Sequence, residues 1–426
     1  MAGFAAVSLT TLVVLLAAAV YQTELPRVLT IGLGLGRKTE PLGSFPYTCR
    51  RIEDERLQAC EDMWLSERSR QLFLACSDPK GRTQWHANLA RYNASGRSLR
   101  DAFVALDIDE PVGAGFRTRT LKTPGFTDML HFNGITGHDD YNGDIRLWAV
   151  NGKPSVDPVS GEFLDSAKVG ANVTVELFRL NAGEGGAGPA DELEHVMTFH
   201  HPLISTANRV AAVINEDKPD FWFTNDHGQG RVGWRYHLSS ILQTGDVSMC
   251  RRKACWKVAE GLRYPNGLAK GHDGLIYVPS SSLGVIDVFE HVPQQGFKKL
   301  HQIVTDYSLD NLSVDKNGDI YAAAFPRPLQ LLRGADDPFN SRVPATALKI
   351  SKKGDGAYVV EKVIEDGDAE VLPATTTVLH DAKTGRLFFS VDIWTGPGGG
   401  AVESSQVLAY PVAEILNKQS SGEESC

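Results

Sequence analysis

The feature that most constrains this chain is a pattern that recurs six times. A polar residue opens each copy. Alternating apolar positions follow, then a Gly-containing or acidic turn, then a short apolar or aromatic run. The copies are EDMWLSERSRQLFLACS from Glu61, NGITGHDDYNGDIRLWAV from Asn133, NRVAAVINEDKPDFWFTND from Asn208, NGLAKGHDGLIYVPSS from Asn266, DNLSVDKNGDIYAAA from Asp310 and TTVLHDAKTGRLFFSV from Thr376. The openers Glu61, Asn133, Asn208, Asn266, Asn311 and Thr376 stand 72, 75, 58, 45 and 65 residues apart. Each interval has room for about four strands, the content of one propeller blade. Helical periodicity is scarce after the N-terminus, and β-branched or alternating runs dominate. The expected fold is all-β, a six-bladed β-propeller with an N-terminal apolar helix. Asp273-Gly274, Asn317-Gly318 and Thr384-Gly385 supply the positive-φ residues that tight hairpins need.

Strands disfavour Asn and Asp. The conflict resolves if these openers head the innermost strand of each blade, because the inner strands surround one axis and their first residues converge. Glu61, Asn208, Asn266, Asp310 and Asn311 then present two carboxylates and three amide carbonyls to one point. Calcium takes six to eight hard oxygen ligands in flexible geometry. Magnesium keeps more water, and zinc prefers nitrogen and sulfur. The set therefore predicts a calcium ion, acting as a Lewis acid or as a structural pin.

The formal net charge of −9 argues against nucleic acid as a partner. The uncharged run Gly3–Val20 reads as a secretory signal or membrane anchor. The expected organisation is a signal or anchor over 1–24, the propeller over 25–413 and a flexible tail over 414–426. The protein is then secreted, or membrane-associated through its N-terminal helix. Six cysteines fit that compartment, and Cys250 and Cys255 are spaced to bridge a hairpin. Asn93 and Asn172 head glycosylation sequons. Asn311 heads a third, but its place among the openers buries it. The Gly-rich stretches 181–189 and 396–400 read as surface excursions.

The chain resembles the paraoxonase/arylesterase (lactonase) family from about Cys49 to Tyr410. The segments that carry the likeness are CEDMWLSERSRQLFLACSDP, VTVELFRL, TNDH (224–227), VAEGLRYPNGLA and DNLSVDKNGDIYAA. The resemblance implies a six-bladed propeller with two calcium ions in its tunnel, and an esterase or lactonase activity. Its catalytic calcium ligands match Glu61, Asn208, Asn266, Asp310 and Asn311. A second calcium would use Asp62, the carbonyl of Ile135 and an Asp at the position held here by Arg209. A cation there predicts loss of that ion, or pairing of Arg209 with Asp62. The family's two histidines correspond to Asn133 and Gly152. The family's first cysteine matches Cys49, whose partner position is Pro411; Cys426 and Cys60 are the alternative partners.

Two readings follow. In the first, calcium polarises the carbonyl of a lactone or aryl ester for attack by water, with His227 or Asp310 as base. No G-x-S-x-G occurs, which argues against a serine hydrolase. In the second, the ion only pins the blades of a binding scaffold. A strictosidine-synthase-like condensing enzyme needs a placed catalytic Glu that the sequence does not single out.

Overall fold

The computed structural model describes Thr11 and residues 24–47, 50–52, 54–112, 115–181, 191–213, 218–392 and 407–411. The rest of Gly3–Val20, Cys49, most of 181–189, the stretch 396–400 and the tail from Glu414 lie outside the described residues.

The strands form an all-β propeller. Among the described residues there are six four-stranded antiparallel sheets and a small two-stranded one. Five of the larger sheets take their strands in chain order. The sixth joins Thr375–Asp381 and Arg386–Val391 to Val407–Pro411 and then to Arg50–Ile52 from the other end of the chain. The inner strands are β1 (Asp62–Ser66), β2 (Phe132–Asp139), β3 (Ala207–Ala212), β4 (Ala269–Lys270), β5 (Ser308–Val314) and β6 (Thr375–Asp381). They pack in a ring: β1 on β2, β2 on β3, β4 on β5, β5 on β6 and β6 back on β1. The β3–β4 seam is bridged where the Thr224 hydroxyl donates to the Asn266 carbonyl at 2.6 Å.

Strand composition follows position in the sheet. Two of the second strands, Gln71–Cys76 and Ile320–Phe325, are buried throughout and almost wholly apolar, as strands covered on both faces should be. The outer strands Leu193–Phe199 and Ala254–Leu262 have a solvent face and alternate in burial. Aromatic rings fill the gaps between sheets; Phe103 meets Phe132 at 4.6 Å and Phe178 at 5.3 Å between centroids. Burying one such ring contributes roughly 1.5–3 kcal/mol. The hairpin glycines take the expected left-handed backbone, with φ of 78° at Gly274, 87° at Gly318 and 69° at Gly385.

Cys250 and Cys255 form a disulfide, as their spacing predicts. Cys60 bonds to Cys76, which removes it as a partner for Cys49. That pairing links the start of β1 to its neighbouring strand. Helix α1 (Leu25–Leu33) follows the apolar run and docks on the propeller, with Arg27 Nε donating to the Leu283 carbonyl at 2.5 Å. Among the described residues no helix is long and apolar enough to cross a membrane.

Candidate metal centre

The strand ladders break where the openers sit. In β2 the register skips between Phe132 and Ile135, in β3 between Ala207 and Val210, in β5 between Leu309 and Leu312, and in β6 between Thr375 and Thr377. The residues left out of the ladder include Asn133, Asn208, Arg209, Asp310, Asn311 and Thr376. A bulge of this kind releases residues from pairing and re-aims their side chains. Glu61 and Asn266 immediately precede or lead into β1 and β4. Two glycines let neighbouring openers close up. A Cβ on Gly134 would lie 2.7 Å from the Arg209 Cα and the Asn208 carbonyl. One on Gly267 would lie 2.8 Å from the Asn311 Cα and the Asp310 carbonyl.

All five sequence-nominated oxygen donors are buried: Glu61, Asn208, Asn266, Asp310 and Asn311. The side-chain carbonyl oxygens of Asn208, Asn266 and Asn311 are all buried with no hydrogen-bond partner. Their NH2 groups are occupied. Asn208 donates to Asp226 Oδ2 at 3.2 Å, Asn311 donates to the Thr377 hydroxyl at 3.1 Å, and the Asn266 amide bonds to Asp310. Each amide is thus held by its nitrogen end with its oxygen left bare. An unpaired buried acceptor costs roughly 1–3 kcal/mol. Bare, buried amide oxygens of this kind suit a cation with oxygen ligands, and the residue types fit such an ion.

Asp62 is fully buried next to Glu61 and meets a cation supplied by the chain. Arg209 Nη2 lies 3.1 Å from Asp62 Oδ1. Asp62 also accepts from the backbone N–H groups of Met63 at 2.9 Å and Ile135 at 2.8 Å, and from the Thr377 hydroxyl at 3.0 Å. Ile135 therefore faces Asp62 with its N–H.

Sequence reasoning missed three residues here: Arg82, His86 and Asp392. Arg82 Nη2 donates to Glu61 Oε2 at 2.9 Å and forms a close ion pair with Asp392. His86 Nε2 lies 2.9 Å from Asp392 Oδ2. Glu61, His86 and Asp392 form a buried acidic cluster of metal-ligand type. Arg82 and His86 come from the loop between Cys76 and Ala102. There α2 (Pro79–Gln84) starts with proline in its first turn and with the Asp78 carboxylate capping Gly81 N–H at 2.8 Å. Gly81 is required because a Cβ would fall 2.4 Å from Ser98 N.

Several carboxyls and two guanidinium groups are buried together here, and burial shifts how they titrate. Burial raises Glu61 well above the ordinary carboxylate range, Asp392 adds to the rise, and Arg82 opposes it. Asp310 is raised the same way by burial and then by Asp392 and Asp62. Burial also raises Asp62, against the pull of Arg209. Asp392, although buried, is held well below its usual value by Arg82 and His86. To the Glu61, Asp310 and Asp62 carboxyls and the Arg209 guanidinium named from the sequence, the fold adds Asp392 and Arg82.

His227 sits one residue outside this centre. Its Nδ1 meets Asp226 Oδ1 at 2.7 Å, and its ring stacks on Tyr236 at 3.7 Å. Asp226 in turn holds Asn208 and Asn88. Asn133 lies at the bulge of β2, with its amide 3.5 Å from the Ala207 carbonyl. Asn93 is exposed and Asn172 half-buried, while Asn311 is fully buried, as its opener position requires.

A family model described as Arylesterase matches residues 167–384, just over half of the chain. The chain belongs to the arylesterase family. No curated protein matches it at a significant level. Among solved structures, it is similar to a gluconolactonase from Xanthomonas campestris at 14% identity, covering 88% of this chain and 99% of that one with a TM-score of 0.44. It is similar to a PQQ-bound aldose sugar dehydrogenase from Streptomyces coelicolor at 11% identity, over 88% and 99% of the two chains with a TM-score of 0.46. It is also similar to regucalcin, a calcium-binding protein from Agrobacterium tumefaciens, at 12% identity, over 86% and 94% with a TM-score of 0.41.

Proposed function

We propose that this arylesterase-family chain is a six-bladed, calcium-dependent hydrolase of lactones or aryl esters. The observation that carries the metal is the set of three bare amide oxygens on Asn208, Asn266 and Asn311 beside Glu61 and Asp310. An all-oxygen donor set of this kind suits calcium over zinc. Family membership carries the reaction class.

The residues divide the work. Glu61, Asn208, Asn266, Asp310 and Asn311 hold the ion. A bound calcium supplies an electrophile toward the ester carbonyl oxygen. Arg209, bound to Asp62, takes the place of a second ion, so we assign one calcium per chain. Arg82 holds Glu61 and Asp392 in position. His227 acts through Asp226, which fixes the Asn208 amide with its oxygen inward. We place the protein in the secretory pathway. Two disulfides and the apolar run Gly3–Val20 support that placement.

The test is turnover of a lactone and aryl-ester panel before and after chelation, with calcium add-back. Activity should vanish with chelator and return with calcium. Asp310→Ala should lose calcium affinity and hydrolysis together. Tight calcium binding with no turnover on any ester or lactone would favour the scaffold reading.

A further inference from the structure

We infer that the Tyr264 hydroxyl donates a hydrogen bond to the substrate's carbonyl oxygen as that oxygen becomes anionic; the inference rests on the functional reading above. Tyr264 stands two residues before Asn266, on the approach to β4. Its backbone is left-handed, with φ of 49°. The same backbone recurs two residues before Glu61 and Thr376, at Ala59 with φ of 45° and at Ala374 with φ of 49°. A non-glycine residue rarely takes this conformation, and a bulky one least of all. Two of these entry turns carry alanine, and the third carries a phenol. Strain held at a position like this points to a use for the side chain.

The ring is held and its hydroxyl is free. Tyr264 packs edge-to-face with His227, centroids 4.9 Å apart, and His227 is itself bonded to Asp226 and stacked on Tyr236. The Tyr264 carbonyl accepts from Ser281 N–H at 3.2 Å. The residue is half-buried, and among the described residues its hydroxyl has no hydrogen-bond partner. Unlike the amide oxygens of Asn208, Asn266 and Asn311, that hydroxyl is not sealed from free space. The neighbouring phenols are committed. Tyr92 donates to the Arg231 carbonyl at 2.9 Å, and Tyr236 donates to the Asn88 carbonyl at 2.7 Å.

The phenol also stands at the metal centre. It lies in the fields of Asp226, Asp310 and Glu61, which come from three different sheets. Glu61 and Asp310 are ion-holding carboxyls in the reading above, and Asp226 fixes the Asn208 amide. A side chain from the β4 sheet that feels all three stands beside the point they surround. The other polar side chains there are engaged with acids: Arg82 with Glu61, His86 with Asp392 and His227 with Asp226.

A phenol keeps its hydrogen at neutral pH, so Tyr264 is a donor there. Donors accelerate a reaction most when they are aimed in advance at the atom where charge develops. Tyr264 has no partner to give up before it turns to a substrate. When the water oxygen bonds to the carbonyl carbon, the carbonyl π pair moves to its oxygen. The hydrogen bond from Tyr264 then strengthens, because its acceptor has become charged. Tyr264 keeps its proton throughout; it stabilises the charge and transfers nothing.

The test compares full-length, calcium-loaded wild type with Tyr264→Phe, which removes only the hydroxyl. The substrates are a series of aryl acetates and a δ-lactone. We expect kcat to fall by about 10²-fold with KM nearly unchanged, and by a similar factor across leaving groups. Calorimetric binding of an alkyl phosphonate monoester, which carries an anionic tetrahedral oxygen, should weaken with kcat. Calcium content and melting temperature should match the wild type. If Tyr264→Phe keeps its kcat and its phosphonate affinity while the wild type is active, this inference fails and the functional reading stands. If the variant loses calcium or melts lower, the hydroxyl is structural and the inference fails. A loss that grows with leaving-group basicity would put the hydroxyl on the departing oxygen and overturn the assignment. If the calcium-loaded wild type turns over no ester or lactone, the functional reading fails and takes this inference with it.

Discussion

At the scale of single residues, Arg209 is the most informative departure from the family pattern. Its guanidinium stands 3.1 Å from Asp62, whose carboxyl is fully buried. Removing one partner of a buried pair costs about 3–5 kcal/mol, because the other charge is left unpaired. Arg209→Met should therefore lower unfolding stability by about that amount in urea titrations. Arg209→Asp should do something different: it places a second carboxylate beside Asp62 and should raise the calcium count from one to two per chain. An unchanged count with intact fold would show that the second site needs more than this residue. The pairing was legible in the sequence, since a cation at a ligand position beside a buried acid has few other options. Arg82, His86 and Asp392 were not. His86 and Asp392 lie 306 residues apart, and nothing periodic marks either.

At the scale of elements, the bulge is the device that makes the centre. The sequence located it indirectly, through Asn and Asp at strand heads where strand propensity disfavours them. It nominated both Asp310 and Asn311 without a reason for two consecutive residues to leave the ladder, because alternation alone would send them to opposite faces; the break between Leu309 and Leu312 releases both. The loop from Ser77 to Asp101 was equally hidden, since its contacts to other blades are tertiary. Gly267 offers the sharpest probe of the bulge. Its added methyl would press on the β5 backbone at Asp310 and Asn311. Gly267→Ala should cost about 1–3 kcal/mol of stability and weaken calcium binding with it. Gly354→Ala is the control, because a Cβ there has nothing within 4 Å. Thermal melts with and without calcium, run on both variants, check this directly.

At the scale of the whole molecule, the ring brings together groups that no single sheet would hold. The sheet that joins Arg50–Ile52 to Val407–Pro411 closes the two ends of the chain. β6 then supports β1, with the Thr376 hydroxyl donating to the Glu61 carbonyl at 2.7 Å. The result is four buried carboxyls against two guanidinium groups, a deficit that protons or one divalent cation can fill. Glu61 and Asp310 are raised well above their ordinary values in the ion-free chain. A carboxyl with a raised folded-state pKa binds protons more tightly when folded. Its contribution to stability is present below the unfolded value near pH 4 and is lost as pH rises through the folded value. Ion-free protein should accordingly weaken as pH rises over that range, while calcium affinity increases because binding displaces those protons. The most direct measurement is calorimetric titration of chelator-stripped protein with calcium at several pH values in buffers of different ionisation enthalpy. The account predicts one ion per chain, proton release on binding and tighter binding at higher pH. Two ions per chain, or no binding at all, would contradict it.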